Sequence, residues 1–202
     1  MSRRAKLGVA ACLVLAIGCA WFGRNVWLVA FGRYLIGPSR DLRSNADVVV
    51  VPGADYIHPD VRVETLDEAA RLLRDGRVNR IVMSCAEFYG VSGCELAEQA
   101  LRDRGYPEVR IEWLRTERLP DDIEADKLIS HLRESGTKSA IILLPNYKQR
   151  RLGSVYRRLG TRSAIDVDIW GRGGEYDPER WWRAREGQKR FAEELLRFAG
   201  LL

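Results

Sequence analysis

The run Asp47-Val48-Val49-Val50-Val51-Pro52-Gly53 limits what this chain can fold into more than any other stretch. Four consecutive β-branched residues are poor helix formers but suit a strand covered on both faces, and Pro52-Gly53 ends the run abruptly. A strand apolar on both sides predicts the centre of a parallel sheet with helices above and below it. In such sheets ligands bind beyond the carboxyl ends of the strands, which places a crevice just past Pro52.

The rest of the chain alternates in step with that expectation. Residues 62–74 put Val63, Leu66, Ala70 and Leu73 on one helical face, with Gly76 as the C-terminal stop. A strand over 80–84, a helix over 95–104 ended by Gly105, and a strand over 109–114 follow. A helix over 120–133 then carries Pro120 in its first turn, and 139–144 reads as a buried strand. The pattern closes with a helix over 147–159 capped by Gly160, an alternating strand over 164–170 and a long helix over 178–198. Five strands separated by helices predict an α/β fold, a three-layer Rossmann-like arrangement on a mainly parallel five-stranded sheet.

Charge divides the chain near residue 40. Six of the 33 basic residues (Arg3, Arg4, Lys6, Arg24, Arg33, Arg40) and no acid lie before that point, so 27 bases meet 28 acids beyond it. The basic pI of 9.2 therefore belongs to the N-terminal segment. The near-neutral domain lacks the concentrated cationic surface that polyanion binding needs, so no nucleic acid partner is expected.

Residues 1–40 read as a membrane anchor and linker, and 41–202 as the domain. Leu7 to Gly23 carries no charge and follows Arg3, Arg4 and Lys6. At about 1.5 Å per residue it reaches the short limit for crossing a hydrocarbon core of roughly 30 Å. A second apolar stretch, Val26 to Phe31, follows, and Trp21, Trp27 and Tyr34 suit the membrane interface. Three readings of the segment stand: an uncleaved signal anchor forming one N-terminal transmembrane helix, a lipoprotein acylated at Cys19, and a cleaved signal. Positive charge ahead of the apolar run places the domain outside the cytoplasm at the plasma (inner) membrane, as a single-pass protein.

The candidate chemistry lies in the loops after the strands. Gly53 and Ala54 would let a ligand approach the backbone, although a tight turn explains them equally well. Ser84 opens a loop flanked by Cys85 and Cys94, which can close a disulfide in an oxidising compartment or remain thiols. Asp121, Asp122 and Glu124 begin a helix, where acids complement the macrodipole without further purpose; Glu124 is the candidate acid or base among them. Tyr147, Lys148 and Arg151 follow the fourth strand. Cations in a first helical turn oppose the dipole, and a bound phosphate or carboxylate would relieve them. Asp55, His58 and Asp60 are too sparse for a metal site, so none is expected. Neither a Walker loop, a G-x-G-x-x-G nor a G-x-S-x-G elbow is present, and no cofactor is indicated.

Taken together these residues resemble the SanA/YdcF/ElyC-like family of bacterial envelope-associated domains. The resemblance runs from about Asp47 to Leu159, with an echo at Ala184-Arg185-Glu186. It rests on the strand and turn from Val48 to Gly53, Arg62 within Arg-Val-Glu, Ser84-Cys85 after the second strand, and Glu95 opening the next helix. Glu124 within Asp122-Ile123-Glu124-Ala125 and Tyr147-Lys148-Gln149-Arg150-Arg151 complete it. Lys148 stands where the family pattern has His, and Asp122 where it has a hydroxyl. The resemblance implies a role in cell-envelope biogenesis or barrier integrity. The expected ligand is a phosphate-bearing or nucleotide-like small molecule or a lipid-linked precursor. Gly53, Ala54, Arg62, Ser84, Tyr147, Lys148 and Arg151 would hold it, and Glu124 or Glu95 would handle a proton in hydrolysis or transfer. The alternative is a non-catalytic binding or scaffolding module.

Overall fold

A computed structural model describes residues 23–36, 45–53, 59–85, 87–88, 91–116, 119–172 and 176–201, with Gly18 and Trp21; of residues 59–64, 87, 88, 91 and 172 it describes the backbone alone. Most of the apolar run from Leu7, Cys19 included, lies outside these residues, as do Ala54, Asp55, His58 and the Arg62 side chain.

Val48–Val51 form β1, and all four valines are buried. At roughly 2 kcal/mol for each buried side chain, this strand alone is a strong reason for helices to cover both faces. Along the chain follow α2 (Pro59–Arg74), β2 (Arg80–Cys85), the short strands β3 (Glu87–Phe88) and β4 (Val91–Ser92), α3 (Gly93–Asp103) and β5 (Ile111–Arg115). Then come α4 (Asp121–Glu134), β6 (Ser139–Pro145), a 3-10 turn (Asn146–Lys148), α5 (Gln149–Arg162), β7 (Asp166–Arg172), a second 3-10 turn (Trp181–Arg183) and α6 (Arg185–Phe198). Residues 23–36 form a helix, α1, ahead of them all.

The main sheet has the order β5-β2-β1-β6-β7, and every neighbouring pair is parallel. β1 is central, as its sequence requires. Val49 and Val51 face a core completed by Leu66, Ala70, Ala97 and Leu101 from α2 and α3. Val48 and Val50 face the other core, completed by Leu128, Leu132, Leu152 and Tyr156 from α4 and α5. The fold is therefore a three-layer, Rossmann-like α/β domain. Asp47 fixes the amino end of β1 against β6: its carboxylate accepts from the backbone N–H groups of Lys138 at 2.7 Å and Ser139 at 2.9 Å. Those two bonds hold its pKa below the usual carboxylate value.

Several boundaries differ from the sequence expectation for identifiable reasons. The loop after β2 contains the antiparallel β3–β4 pair, too short to show in the apolar pattern. Gly160 is not a cap, because α5 continues to Arg162 and the chain turns at Ala164 with φ 54°. Its lack of a side chain instead admits β7, since a Cβ there would sit 2.4 Å from the Val167 Cγ2 and 2.9 Å from the Ile165 carbonyl oxygen. The final helix is interrupted at the extended residue Ala184. The Trp181 ring thereby stacks on Phe191 at 3.9 Å.

Residues 28–36 pack on the domain. Leu35 is buried with Tyr147, Tyr176 and Trp181, and Leu28 and Ile36 pack on the same cluster. The Trp181 Nε1 donates to the Leu28 carbonyl at 2.8 Å, and the Tyr176 hydroxyl to that of Gly32 at 3.2 Å. Among the described residues no helix is long and apolar enough to cross a membrane.

Gly160→Ala tests the close approach of α5 and β7. Ala gains about 1 kcal/mol over Gly inside a helix, but overpacking against backbone costs about 1–3 kcal/mol. The expected outcome is a net loss of about 1 kcal/mol in urea unfolding.

Candidate functional site

The strand order reverses direction at β1, so the carboxyl ends of β1 and β6 open a crevice between neighbouring loops. A cavity of about 40 Å³ lies there. Pro52 and Gly53 from the end of β1, Pro145 from β6, Asp121 and Glu124 from α4, and Lys148 from the 3-10 turn contribute to its wall. Leu66, Met83, Leu143, Leu144, Leu152 and Tyr156 make the remainder largely apolar.

Glu124 is the buried acid of this site, 4% exposed. The Gly53 N–H donates both to the Ser84 Oγ at 2.7 Å and to the Glu124 Oε1 at 2.9 Å, and the Ser84 hydroxyl donates to the same carboxylate oxygen. One backbone amide, one hydroxyl and one carboxyl thus tie together the ends of β1, β2 and the start of α4. Burial pushes the Glu124 pKa up, and the negative charge of Asp121 adds to this. The bonds from Ser84 and Gly53 and the charge of Lys148 oppose it without cancelling it. A carboxyl group that keeps its proton above the ordinary range is able to act as a general acid.

Asp121 lies one turn earlier on the same helix and behaves oppositely. Burial disfavours its charge, but Lys148, Arg151 and Arg197 outweigh that and hold its pKa below the usual value. The Lys148 Nζ donates to the Asp121 Oδ1 at 3.4 Å, and Arg151 and Arg197 donate to Oδ2 at 2.5 and 3.0 Å. Arg151 also grips Glu194 of α6 in a bidentate pair, at 2.9 and 3.1 Å. Hydrogen bonds and charge from Glu194 and Asp121 overcome the effect of burial and raise the Arg151 pKa, so its guanidinium is permanently charged.

The sequence expectation for the fourth loop is a bound anion beside Lys148 and Arg151. In the structure three of the protein's own carboxylates, Asp121, Asp122 and Glu194, pair with these cations. Lys148 belongs to the 3-10 turn rather than to the first turn of α5, and it is buried in the cavity wall. Arg151 lies behind Asp121 and is not in that wall.

The other predicted residues separate clearly. Gly53 lines the cavity, but its N–H is already shared by Ser84 and Glu124 rather than aimed at a ligand. Ser84 is fully buried behind the wall. Tyr147 turns the other way, into the aromatic cluster with Leu35, Tyr176 and Trp181, because successive residues of the tight turn point in different directions. Glu95 is exposed on the first turn of α3 and takes no part in the cavity wall, so the structure does not place it with Glu124. Cys85 and Cys94 are paired as a disulfide with Cα atoms 5.6 Å apart, which ties the end of β2 to the start of α3 directly after Ser84. Among the described residues no group of three His, Cys, Asp or Glu side chains is placed to hold a metal.

Three participants were missed. Asp121 reads in sequence as a dipole-complementing acid, and no local pattern singles out Tyr156. Glu194 lies too far along the chain for local pattern to connect it with Arg151. The Tyr156 ring lines the cavity, and burial, followed by the charges of Glu124 and Asp121, keeps its hydroxyl firmly protonated.

No family model and no curated protein sequence matches this chain. Among solved structures, a universal stress protein crystallised in complex with cAMP is similar, with a TM-score of 0.40 and 18% identity. The match covers 64% of this chain and 100% of that one. A likeness of that degree carries no argument about the crevice.

Asp121→Asn removes the charge that three cations share. Breaking a buried pair of this kind costs about 3 kcal/mol, and thermal unfolding is expected to show that loss at neutral pH. Because the folded pKa of Asp121 is depressed, its contribution is fully present above the unfolded value near 3.8. It disappears as pH falls through the lower, folded value, so wild type and variant should converge only in strong acid.

Proposed function

We propose that this chain is a membrane-tethered, extracytoplasmic domain of the bacterial cell envelope whose crevice takes a small phosphate-bearing ligand and handles a proton through Glu124. The observation that carries the reading is the buried Glu124, with its raised pKa, in a cavity wall shared with Lys148. Glu124 supplies a proton to a leaving oxygen, and Lys148 balances negative charge that develops beside it. Such a pair suits hydrolysis or transfer on an envelope precursor, soluble or carried on a lipid. The tether and the outward orientation rest on the uncharged run from Leu7 and on the basic residues ahead of it. Membership of the SanA/YdcF/ElyC-like group, and with it the role in envelope biogenesis, rests on the order and spacing of the residues quoted above.

Charge decides when an anion can enter. Lys148, Arg151 and Arg197 face Asp121, Asp122 and Glu194, so these six groups balance. An ionised Glu124 makes the set net negative. The cavity is therefore less hostile to an anion when Glu124 is protonated than when it is ionised.

A second reading has its own support, since the pairing of Lys148 and Arg151 with Asp121 and Glu194 is what a module with no turnover would retain. Ligand binding without product over a panel of phosphate esters would favour it.

Titrating the full chain in detergent with a nucleoside monophosphate and with undecaprenyl phosphate tests the first reading. Binding is expected to tighten as pH falls through the raised pKa of Glu124, and to weaken about tenfold or more in Lys148→Ala, for loss of a charge-assisted bond. Glu124→Gln keeps the acceptor oxygen for Ser84 and Gly53 and should bind at neutral pH as wild type does in acid. Equal affinity of wild type and Lys148→Ala for both ligands would remove the anion site.

The same variant has a stability signature. A carboxyl with a raised folded pKa destabilises the fold as pH rises from the unfolded value near 4.5 through the folded one. Glu124→Gln is accordingly expected to match wild type in acid and to melt higher at neutral pH.

A further inference from the structure

The docked helix α1 leaves one stripe uncovered. Trp27, Phe31 and Tyr34 are spaced i, i+4, i+7, so they share one face, and they are 64%, 55% and 43% exposed. The face bearing Leu28, Gly32 and Leu35 is the docked one, held by the bonds from Trp181 and Tyr176 to backbone carbonyls. Gly32 makes that docking close, since a Cβ there would lie 2.3 Å from the Pro178 carbonyl oxygen. The exposure of the stripe is thus fixed by the fold. It continues onto α6, where the ring of Phe198, 49% exposed, meets Tyr34 edge-on at 6.1 Å. Leu201, 70% exposed, follows on the same chain end.

We propose that this two-helix face, Trp27, Phe31 and Tyr34 of α1 with Phe198 of α6, lies against the surface of a lipid bilayer and sets the orientation of the domain on it. Three features select a bilayer over another protein. The uncharged run from Leu7 ends at Gly23, the first residue of α1, so whatever holds that run is adjacent to the stripe. Trp and Tyr are the side chains that settle at the headgroup level, with an apolar body and a polar tip. Cations border the aromatic face: Arg24 stacks on Trp21 at 4.6 Å and Arg150 on Tyr34 at 3.6 Å. Such a rim suits anionic headgroups.

The consequence reaches the crevice. Tyr147 belongs to the cluster beneath α1, and its neighbour Lys148 belongs to the cavity wall. A bilayer on the outer side of α1 would lie about one helix diameter, roughly 10 Å, from that turn. The ligand class that fits is a phosphate carried on a lipid, whose headgroup is presented at that depth. This deepens the proposed function and rests on its membrane tether.

The test uses the full chain in nanodiscs of phosphatidylethanolamine and phosphatidylglycerol, with p-benzoylphenylalanine replacing Leu15, Phe31, Phe198 or the exposed Glu108 singly. Illumination is expected to give lipid adducts at Leu15, Phe31 and Phe198 and none at Glu108. The double substitution Trp27→Ser/Phe31→Ser, which touches no docked residue, should lower the adduct at Phe198 and leave that at Leu15 unchanged. An adduct at Leu15 with none at Phe198 would overturn the resting face while keeping the tether. No adduct at Leu15 would overturn the tether itself. Adducts from Phe198 to a second copy of the chain would show a protein interface and overturn the bilayer assignment.

Discussion

One carboxylate, Asp121, holds the crevice side of this molecule together. It receives Lys148 from the turn after β6, Arg151 from α5 and Arg197 from α6, while itself opening α4. Four elements distant in sequence therefore meet at one charge. Burying charge is costly, and a buried pair is justified only where every member is answered. Here Arg151 is answered by Asp121, by the bidentate Glu194 and by Asp122 at 3.6 Å, and the pair with Glu194 joins α6 to α5. Beyond the network, α6 is seated by Phe191 on Trp181, by Phe198 against Tyr34 and by Arg190 over the Tyr147 ring.

The same charge shapes its neighbour. Asp121 and Glu124 are three residues apart and so occupy one face of α4, yet their environments push them in opposite directions. Three cations keep Asp121 ionised. Glu124 is given a hydroxyl, a backbone amide and an apolar wall, and feels Asp121 as a like charge. Two carboxyl groups on a single helical turn thereby divide the work into a fixed counter-ion and a group that can hold or release a proton. Ser84 and Gly53 matter to this division because they determine which oxygen of Glu124 is occupied. The disulfide directly after Ser84 restrains the strand end from which that hydroxyl is presented.

The sheet was legible because its information is local. A run of four valines ended by Pro-Gly cannot do much else, and the alternating segments after it each carry their own period. The site was half legible. Gly53, Ser84 and Lys148 near strand ends and Glu124 in the first turn of α4 do gather at the switch point, since topology alone brings them there. Direction within a turn was not legible: Tyr147 and Lys148 are adjacent, and only packing decides that the ring joins Trp181 while the ammonium joins the cavity. Pairing across distance was hidden as well. Nothing near Asp121 distinguishes a helix-capping acid from the partner of three cations, and the join between Arg151 and Glu194 spans α5, β7 and α6. Glu95 shows the converse error, because an acid in a first turn is common and α3 starts away from the cavity wall.

The 3-10 turn after β6 connects these themes. If α5 began directly at Tyr147, successive side chains would follow helical spacing, and Tyr147 and Arg151 would lie on one face at i, i+4. The tighter turn changes that phase before α5 starts. Tyr147 is thereby given to the cluster under α1, and Lys148 to the cavity and Asp121. Two adjacent residues thus serve two different parts of the molecule, the packing under α1 and the carboxylates of the crevice.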